Sequence, residues 1–440
     1  MSSDWASLTV GDLVLQGEAT IQTGPFGSQL HSHDYVAVGT PVIPTEAIGR
    51  GRILDIDVPK VGSSKAAELW RHRLRRGDIL FARRGAQATG LSAIVDERYE
   101  DALCGTGALL LRTQSPRVDP DYLAMFLSSD SSYRWLRAHA VGAVMPNLNT
   151  DIIKALPLVL PSIEEQREVA EFFGALDDRI ALLRETNATL EAIAQALFKS
   201  WFVDFDPVRA KQQGLAPAGM DEATAALFPD SFEESALGLV PKGWPAGTLD
   251  DLSDLNSRSW SGRHHPERVR YLDLANVKDN EVATVTEFAF DEAPSRARRV
   301  LRSGDTIVGT VRPGNRSFAF IHEPVPDLTA STGFAVLSPK VADNTAFVYL
   351  AATQDASIEH LSHVADGGAY PAVRPDVVSA LACVVPSAEI LRAFNAVACP
   401  LLVKVSANQR QAQTLATLRD TLLPRLISGQ LRLPEVEAIA

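Results

Sequence analysis

"GAVMPNLNTDIIKALPLVLPS", residues 142–162, returns 225 positions later as "GGAYPAVRPDVVSALACVVPS", residues 367–387. Pro146 aligns with Pro371, and the match ends in the same Pro-Ser pair in both copies. Self-similarity over a stretch of this length indicates a duplicated structural unit. The two copies are therefore expected to have the same fold.

The repeat extends upstream of this segment. "LRRGDIL" at 74–80 corresponds to "LRSGDTI" at 301–307, and "TGALLL" at 106–111 corresponds to "TGFAVL" at 332–337. The offset between these pairs changes by only two residues. The chain therefore contains two copies of one plan, each a mixed domain followed by a long helical segment.

The helical segment of the first copy begins at a predicted capping box, in which Ser162 and Glu165 satisfy each other's backbone amides. The seam that follows has spacings of four and three, which is typical of a coiled coil. Its members are Val169, Phe173, Leu176, Ile180, Leu183, Asn187, Leu190, Ala194, Leu197 and Trp201. The second copy has a weaker seam, formed by Phe394, Ala398, Leu401, Val405, Asn408, Ala412, Leu415, Leu418 or Arg419, Leu422 and Leu426.

These two segments are predicted to pair with each other. A helix of about 40 residues is roughly 60 Å long, and one apolar stripe does not stabilise it alone. Residues 161–235 have 15 acidic and 6 basic side chains and the C-terminal segment has a small basic excess, which favours an antiparallel pair. Asn187 and Asn408 then fall at one level and are expected to meet. Alternatively, each faces solvent or a partner subunit.

The predicted fold class is α+β: two mixed α/β domains, separated by two long antiparallel helices that form a coiled coil, with an internal pseudo-two-fold repeat. Short apolar runs bounded by turns, such as "GDILFARR" and "GDTIVGTV", predict strands in both copies. The predicted boundaries are domain 1 at 1–160, the central helix at 161–208, a connector at 209–243, domain 2 at 244–385, the C-terminal helix at 386–430 and a tail at 431–440.

Composition places the chain among globular proteins. It has 440 residues, 46% of them apolar, and a formal net charge of −12. The N-terminus lacks the pattern of a signal peptide and no run of 18 apolar residues occurs, so a cytoplasmic protein without a membrane segment is expected. Cys104, Cys383 and Cys399 lack metal or disulfide spacing and are predicted to be small core residues.

Catalytic and cofactor motifs are absent from the sequence. It has no GxxxxGK[ST] phosphate loop, no GxGxxG after a strand, no methyltransferase NPPY or DPPY element and no HExxH. His31, His33 and the pair His264-His265 are interpreted as surface or groove residues rather than metal ligands. The sequence thus predicts a chain that is not an enzyme and that has no cofactor and no metal.

Polar and basic loops occur at corresponding places in both copies. Arg, Asn and Gln are the side chains that bind base edges bidentately, so these loops are predicted to contact DNA. In the first copy the candidates are Ser28, Gln29, His31, Arg50, Arg52, Arg83, Arg84, Gln87 and Asn147. In the second they are Arg258, Trp260, Arg263, Arg298, Arg312, Asn315, Arg316, Tyr370 and Arg374. The alternative is that any one of them is a surface side chain paired with a nearby carboxylate.

Long motifs give the chain a family resemblance over nearly its whole length. It resembles the specificity subunit of a type I restriction-modification enzyme. The motifs are "LPLVLPSIEEQREVAEFFGALDDRI" (156–180), "LEAIAQALFKSWFVDFDPV" (190–208), "GPFGSQL" (24–30), "GDILFARRG" (77–85), "GDTIVGTVRPGNRSFAF" (304–320) and "ASTGFAVLSP" (330–339).

The resemblance implies a non-catalytic subunit with two target recognition domains, each binding one half of a bipartite asymmetric site in double-stranded DNA. It implies that the paired helices set the spacer and that two modification subunits, which methylate adenine, dock on this chain. Restriction subunits would join through them. Phe198, Trp201, Phe202 and Phe205, near the end of the first helix, are candidates for such docking or for packing inside the chain.

One feature departs from a symmetric repeat. Pro424 stands where the first copy has Lys199, and a proline inside a helix kinks or ends it. The two docking faces are therefore not expected to be fully equivalent. Two other functions remain to be tested: a coiled-coil adaptor that does not bind DNA, and a stand-alone nuclease or methyltransferase, which the missing motifs oppose.

Overall fold

A computed structural model describes residues 5–85, 87–142, 145–368 and 370–433. The chain divides into two compact units. Unit 1 comprises Met1–Arg179 with Thr414–Ala440, and unit 2 comprises Ile180–Gln413. The two longest helices, α6 (Ile163–Phe202) and α13 (Ala388–Ile427), have 40 residues each and contribute to both units.

Unit 1 contains eleven strands and five shorter α-helices within its described residues. The strands are β1 Ala6–Thr9, β2 Ala19–Thr23, β3 Tyr35–Val36, β4 Thr40–Ile43, β5 Gly51–Arg52, β6 Lys60–Val61, β7 Ile79–Ala82, β8 Ser92–Ile94, β9 Leu103–Cys104, β10 Ala108–Thr113 and β11 Pro157–Leu160. The helices are α1 Val10–Leu15, α2 Ser63–Glu68, α3 Pro120–Ser128, α4 Asp130–His139 and α5 Thr150–Lys154.

The sheets of unit 1 are mixed with helices, as an α+β domain requires. A five-stranded sheet has the order β2-β10-β7-β8-β5, a four-stranded sheet has the order β3-β6-β4-β9, and β1 pairs with β11. Buried side chains of β7, β10 and α3, including Phe81, Leu109 and Tyr122, join Phe173 of α6 in one core. The N-terminal half of α6 is thus an integral part of unit 1.

Unit 2 contains fourteen strands and six shorter α-helices within its described residues. The strands are β12 Phe232–Ser235, β13 Gly238–Pro241, β14 Ala246–Thr248, β15 Ser253–Leu255, β16 Arg268–Leu272, β17 Val277–Lys278, β18 Glu281–Val282, β19 Thr286–Ala289, β20 Ala297–Val300, β21 Thr306–Gly309, β22 Phe318–Phe320, β23 Leu328–Ser331, β24 Phe334–Pro339 and β25 Ala382–Val384. The helices are α7 Asp206–Gln212, α8 Glu222–Leu227, α9 Leu249–Leu252, α10 Thr345–Thr353, α11 Asp355–Val364 and α12 Pro375–Ser379.

The elements of the two units correspond in the order that the sequence repeat predicts. The order β2-β10-β7-β8 in unit 1 matches β15-β24-β21-β22 in unit 2. Helices α3, α4 and α5 match α10, α11 and α12, and β11 matches β25. The predicted α+β class with an internal repeat is therefore confirmed. The second sheet of unit 2, β19-β16-β23-β20, corresponds in part to β3-β6-β4-β9 of unit 1, because β16 pairs antiparallel with β19 and parallel with β23, as β4 does with β6 and β9.

The start of α6 has the predicted capping box. The backbone amide of Glu165 donates to Ser162 Oγ and the amide of Ser162 donates to Glu165 Oε2, both at 3.2 Å. The second helix continues past Pro424 to Ile427, the position equivalent to Phe202, so the proline does not end it. Leu422, Leu426 and Ile427 are buried in the core of unit 1, and this packing compensates for the missing backbone hydrogen bond.

Within each unit the two long helices run antiparallel. In unit 1, Arg419 Nη1 donates to Asp177 Oδ1 at 2.6 Å, while Leu418 is exposed. Of the two residues that the sequence allowed at this position of the second seam, Arg419 is therefore the one that faces α6. In unit 2, Asn408 Nδ2 donates to Asn187 Oδ1 at 2.9 Å, and Asn187 Nδ2 donates to the Val405 carbonyl at 3.4 Å. The two seam asparagines therefore meet, as the predicted antiparallel pair requires.

The aromatic cluster at the end of α6 is internal. Phe198, Trp201, Phe202 and Phe205 are all buried in the core of unit 2. The ring of Phe202 lies 4.8 Å from that of Phe394 and 4.9 Å from that of Phe347, with edge-on geometry. Of the two interpretations of this cluster, packing is the one that the structure shows, and these rings offer little surface to a partner.

By length and composition alone, α13 is apolar enough to cross a membrane, which the search for uninterrupted apolar runs did not indicate. Its side chains Phe394, Ala398, Leu402 and Val405 are fully buried in unit 2. The core helix of a soluble protein meets the same criterion, so burial within the protein accounts for the apolarity of this helix.

The three cysteines are free thiols. Cys104 is buried in the core of unit 1, and burial raises the pKa of its thiol to about 12. Cys383 and Cys399 are only half-buried, and they pack against the edge of the unit 2 core rather than inside it. All three are packing residues, two of them more peripheral than predicted.

The asparagine pair generates a stability prediction. Changing Asn408 to Ala removes the partner of the half-buried Asn187 amide, which should lower the free energy of unfolding by about 1–3 kcal/mol. Urea denaturation followed by circular dichroism measures this loss. Gln411→Ala, an exposed change on the same helix, is the control, and an equal midpoint shift in both variants would contradict the prediction.

Candidate nucleic-acid interface

In unit 1, several predicted residues meet at one edge of the five-stranded sheet. Strand β10 is antiparallel to both β2 and β7, with Leu109 opposite Thr23 and Ala108 opposite Ala82. The C-terminal ends of β2 and β7 therefore lie beside the N-terminal end of β10. The loops that leave these ends form a cleft of about 130 Å³, lined by Gly24–Gly27, Arg83, Arg84, Thr106–Ala108 and Asn147.

Arg83 and Asn147 hold the wall of this cleft together. Arg83 Nε donates to Asn147 Oδ1 at 3.0 Å and to the Leu148 carbonyl at 3.1 Å, and the Leu148 amide donates to the Arg83 carbonyl at 2.8 Å. Arg84 is exposed next to them. Arg83 is thus used inside the protein, whereas Arg84 presents its charge at the cleft.

Gly107 is required at the floor of the cleft. Its φ is +88°, in the region that favours glycine, and a Cβ there would lie 3.0 Å from Arg84 Nε. The turn therefore requires a residue without a side chain at this position, next to Arg84. Gly333, its counterpart in the sequence repeat, lies between β23 and β24 in unit 2.

The other predicted residues of unit 1 lie apart from this cleft or beside it. Ser28 and Gln29 continue the loop from Gly27, and Gln29 Oε1 accepts from the Phe26 amide at 2.9 Å. Arg50 is paired with Asp130 at 2.6 Å and donates to the Ser128 carbonyl, so it fits the alternative of a surface ion pair. Arg52 and Gln87 are exposed without joining the cleft lining.

His31 lies in a turn with His33 and Asp34. Their ligand atoms lie within 4.8 Å of one another. The Asp34 carboxylate already accepts from the His31 amide at 2.8 Å, and Lys65 Nζ lies 3.5 Å from it. The His31 amide and the charge of Lys65 keep the pKa of Asp34 below its ordinary value. A lysine ammonium at this distance opposes a second cation, so these residues act as a polar loop.

In unit 2, the turn after β21 pairs with the segment that precedes α12. The Arg312 amide donates to the Pro371 carbonyl at 2.7 Å, and the Val373 amide donates to the Thr310 carbonyl at 2.9 Å. The Arg312 guanidinium lies 4.7 Å from the centre of the Tyr370 ring. Asn315 is exposed on the same turn. Arg312 therefore lies beside Tyr370, on the same turn as Asn315.

Arg316, at the end of this turn, is engaged by carboxylates. Its guanidinium donates to Asp279 and, at 2.7 Å, to Asp355. It also lines a cavity of about 490 Å³ together with Glu191 and Tyr349, on the side of the turn that faces α6. This geometry fits the alternative interpretation, in which Arg316 positions the turn.

The hairpin β17–β18 joins that turn to both long helices within unit 2. Asp279 and Asn280 at its tip have φ of 45° and 63°, which are left-handed values that Asn and Asp tolerate. The Asn280 side-chain amide donates to Glu191 of α6, and the Asn280 carbonyl accepts from Gln409 of α13 at 2.7 Å. Burial raises the pKa of Glu191. The sequence analysis did not identify this hairpin.

The remaining candidates of unit 2 lie near the second sheet or at the periphery. Trp260 Nε1 donates to Thr329 Oγ1 at 2.9 Å, and the Trp260 amide donates to the Arg298 carbonyl at 2.8 Å. Arg298 covers the Phe290 ring, with its guanidinium carbon 4.8 Å from the ring centre. Arg258 and Arg263 are exposed, and Arg374 is paired with Asp376 at 3.1 Å.

The turn after β7 in unit 1 and the turn after β21 in unit 2 have the same pattern of backbone hydrogen bonds. The Leu148 amide donates to the Arg83 carbonyl in unit 1, and the equivalent Val373 amide donates to the Thr310 carbonyl in unit 2. The bridges between Val141 and Asn147 and between Asp366 and Ala372 are also equivalent. The offset of 225 also aligns Met145 with Tyr370. Tyr370 is among the candidates from the sequence, whereas Met145 was missed.

Unit 1 has the cleft beside Arg84, unit 2 has the Arg312 turn on a similar backbone frame, and each unit includes part of the long helix pair. Residues 62–192 match the family model described as type I restriction modification DNA specificity domain. The chain is thus similar to the specificity subunits of type I restriction enzymes, and the predicted resemblance is confirmed. The names of these similar proteins are those of specificity subunits, which agrees with the prediction that this chain is not an enzyme.

Two curated relatives show how far the similarity extends. The type I restriction enzyme HindI specificity subunit of Haemophilus influenzae is 24% identical over 405 residues, which cover 81% of this chain and 87% of that protein. The MjaIX specificity subunit of Methanocaldococcus jannaschii is 24% identical over 327 residues, covering 72% and 71%. The crystal structure of the type I restriction-modification system S subunit from M. genitalium covers 97% of each chain with a TM-score of 0.59 at 14% identity, a likeness in fold.

The Arg316 contacts generate a prediction about local stability. Arg316→Ala removes both ion pairs of the turn, and exposed pairs contribute up to about 1 kcal/mol each. Amide hydrogen exchange at Asp279, Asn280 and Phe318 should accelerate several-fold. Arg374→Ala, which removes one exposed ion pair elsewhere in unit 2, is the control and should leave these amides unchanged. Equal protection in both variants would show that Arg316 does not position the turn.

Proposed function

We propose that this chain is the DNA sequence-specificity subunit of a type I restriction-modification complex in the cytoplasm. Residues 1–160 and 244–385 are the two target recognition domains, and each binds one half of a bipartite asymmetric site in double-stranded DNA. Two modification subunits dock on the chain, and restriction subunits join through them. The chain itself has no catalytic role.

The repeated backbone frame with unequal side chains is the observation that supports this proposal most strongly. At equivalent places, unit 1 presents Arg84, Met145 and Asn147, and unit 2 presents Val311, Tyr370 and Ala372, with Arg312 one residue after Val311. Base edges are distinguished by the donors and acceptors that face them. One frame with two different sets of side chains therefore favours recognition of two different half-sites.

The charge distribution is compatible with DNA binding by only part of the surface. The formal net charge is −12, and the segment 161–235 has an excess of nine acidic residues. Phosphate binding needs local cations rather than a basic whole chain. Arg84 at the cleft of unit 1 and Arg312 on the turn of unit 2 supply such cations, while the acidic helix α6 is available to other subunits.

The docking faces are better sought on the outer sides of the long helices than in the buried aromatic cluster. Ile193 of α6 is 45% exposed and Leu418 of α13 is 42% exposed. They occupy equivalent positions, since 225 residues separate them. An exposed apolar side chain at the same place in both copies supports two similar docking faces for two copies of one partner.

The recognition hypothesis predicts reciprocal effects of Arg84→Ala and Arg312→Ala. Each should relax specificity in one half-site only, with a loss of about 1–3 kcal/mol if a bidentate base contact is removed. The host methylome, recorded with and without the gene, gives the target, and binding to duplexes mutated in each half-site then measures the effect. Each variant is the control for the other.

Three outcomes of this experiment have different meanings. Uniform weakening on all sequences would assign the arginines to phosphates. Retention on DNA without any sequence preference, or no retention at all, would favour a coiled-coil adaptor. Turnover of DNA by the purified chain alone would contradict the non-catalytic role.

The docking hypothesis predicts that Ile193→Glu and Leu418→Glu each reduce the number of bound modification subunits from two to one, and that the double variant binds none. Native mass spectrometry of the co-expressed complex measures the stoichiometry. Leu239→Glu, on the exposed hairpin β12–β13, is the control. Phe202→Ala should instead destabilise the isolated chain by about 3–5 kcal/mol, because a buried ring is lost. Two bound subunits in the double variant would contradict the assigned faces.

A further inference from the structure

Each unit presents one large apolar side chain at the tip of an equivalent loop. Met145 is 65% exposed and Tyr370 is 71% exposed. Single exposed apolar residues are common on protein surfaces and need no explanation. Their occurrence at the same position of both copies, 225 residues apart, is not explained by chance exposure.

Backbone hydrogen bonds close the base of each loop. In unit 1 the amides of Val141 and Asn147 donate to each other's carbonyls at 3.0 and 2.9 Å. In unit 2 the amides of Asp366 and Ala372 do so at 3.1 and 2.8 Å. These bonds hold the two ends of each loop together and so restrict Met145 and Tyr370 before any ligand binds, which lowers the entropic cost of binding.

A glycine shapes each loop just after its first closing residue. Gly142 has a φ of +111° and Gly367 has a φ of +124°, both in the region that favours glycine. A Cβ on Gly142 would lie 2.7 Å from the Met145 carbonyl oxygen, and one on Gly367 would lie 2.9 Å from that of Tyr370. The same close approach of backbone therefore sets the position of both tips.

An arginine accompanies each tip. The Arg312 guanidinium lies 4.7 Å from the centre of the Tyr370 ring. In unit 1, Arg84 pairs through its backbone with Asn147, two residues after Met145. An apolar tip beside a cation fits a ligand that offers stacked apolar faces next to phosphates, and duplex DNA has this chemistry.

We propose that Met145 and Tyr370 are wedges, each inserted between two base pairs of its own half-site and partly unstacking that step. This inference rests on the proposed function, since it assumes that both clefts bind DNA. It adds a second source of specificity, because pyrimidine–purine steps unstack more readily than others and are favoured at the position of the wedge.

The test uses the full chain and duplexes containing its selected target, with 2-aminopurine placed at each position in turn. Unstacking increases the fluorescence of this base. We expect an increase at one step of each half-site. Met145→Ala should abolish it in the first half-site only and Tyr370→Ala in the second only, each with about a tenfold loss of affinity. Met145→Leu and Tyr370→Phe should retain the signal, and Leu239→Ala, a 63% exposed side chain on hairpin β12–β13, should change nothing.

Other results would overturn the wedge. Sequence-specific binding with unchanged fluorescence, or alanine variants that bind and fluoresce like the unaltered chain, would contradict it alone. Alanine variants that lose modification subunits while keeping the DNA signal would make these loops protein-docking elements. Absence of any sequence preference in the unaltered chain would contradict the proposed function and the wedge together.

Discussion

A 40-residue helix with one apolar stripe is not stable alone in water, and this chain has two such helices. Each must bury its stripe, and the antiparallel contact between them does so in both units. In unit 1 Phe173, Leu422 and Leu426 share one core, and in unit 2 Phe198 and Phe394 share another. The helices are therefore not a linker added to two finished domains, because each domain completes its core with parts of both helices.

The same dependence explains why the aromatic residues at the end of α6 are internal. The ring of Phe202 packs against Phe347 of α10 and Phe394 of α13, so it joins three elements of unit 2. A sequence pattern shows that these rings lie off the heptad seam. It does not show which neighbouring element covers them, because that depends on contacts between residues far apart in the chain.

Much of the architecture could be predicted because repeats, caps and seams are local or self-similar patterns. The capping box at Ser162 and the meeting of Asn187 with Asn408 follow from spacing alone. The roles of the individual arginines could not be predicted in this way. Arg50 and Arg316 have the same local character as Arg84, but carboxylates distant in the sequence, Asp130 for one and Asp279 and Asp355 for the other, engage them.

Unit 2 also shows why polar groups persist in the helix pair. Asn187 bonds to Asn408, and one turn further along α6 Glu191 accepts from Asn280, whose carbonyl accepts from Gln409 of α13. Burial raises the pKa of Glu191, so its charged form costs stability that an apolar residue would not. A slip of one heptad, about 10 Å along the helix, would leave all of these groups unpaired at once. A seam of apolar residues alone tolerates such a slip far better, so the polar contacts select one register of the two helices. The Asn280 hairpin is bonded both to the helices and to the segment after the Arg312 turn. The register of the helices therefore also fixes the position of that turn.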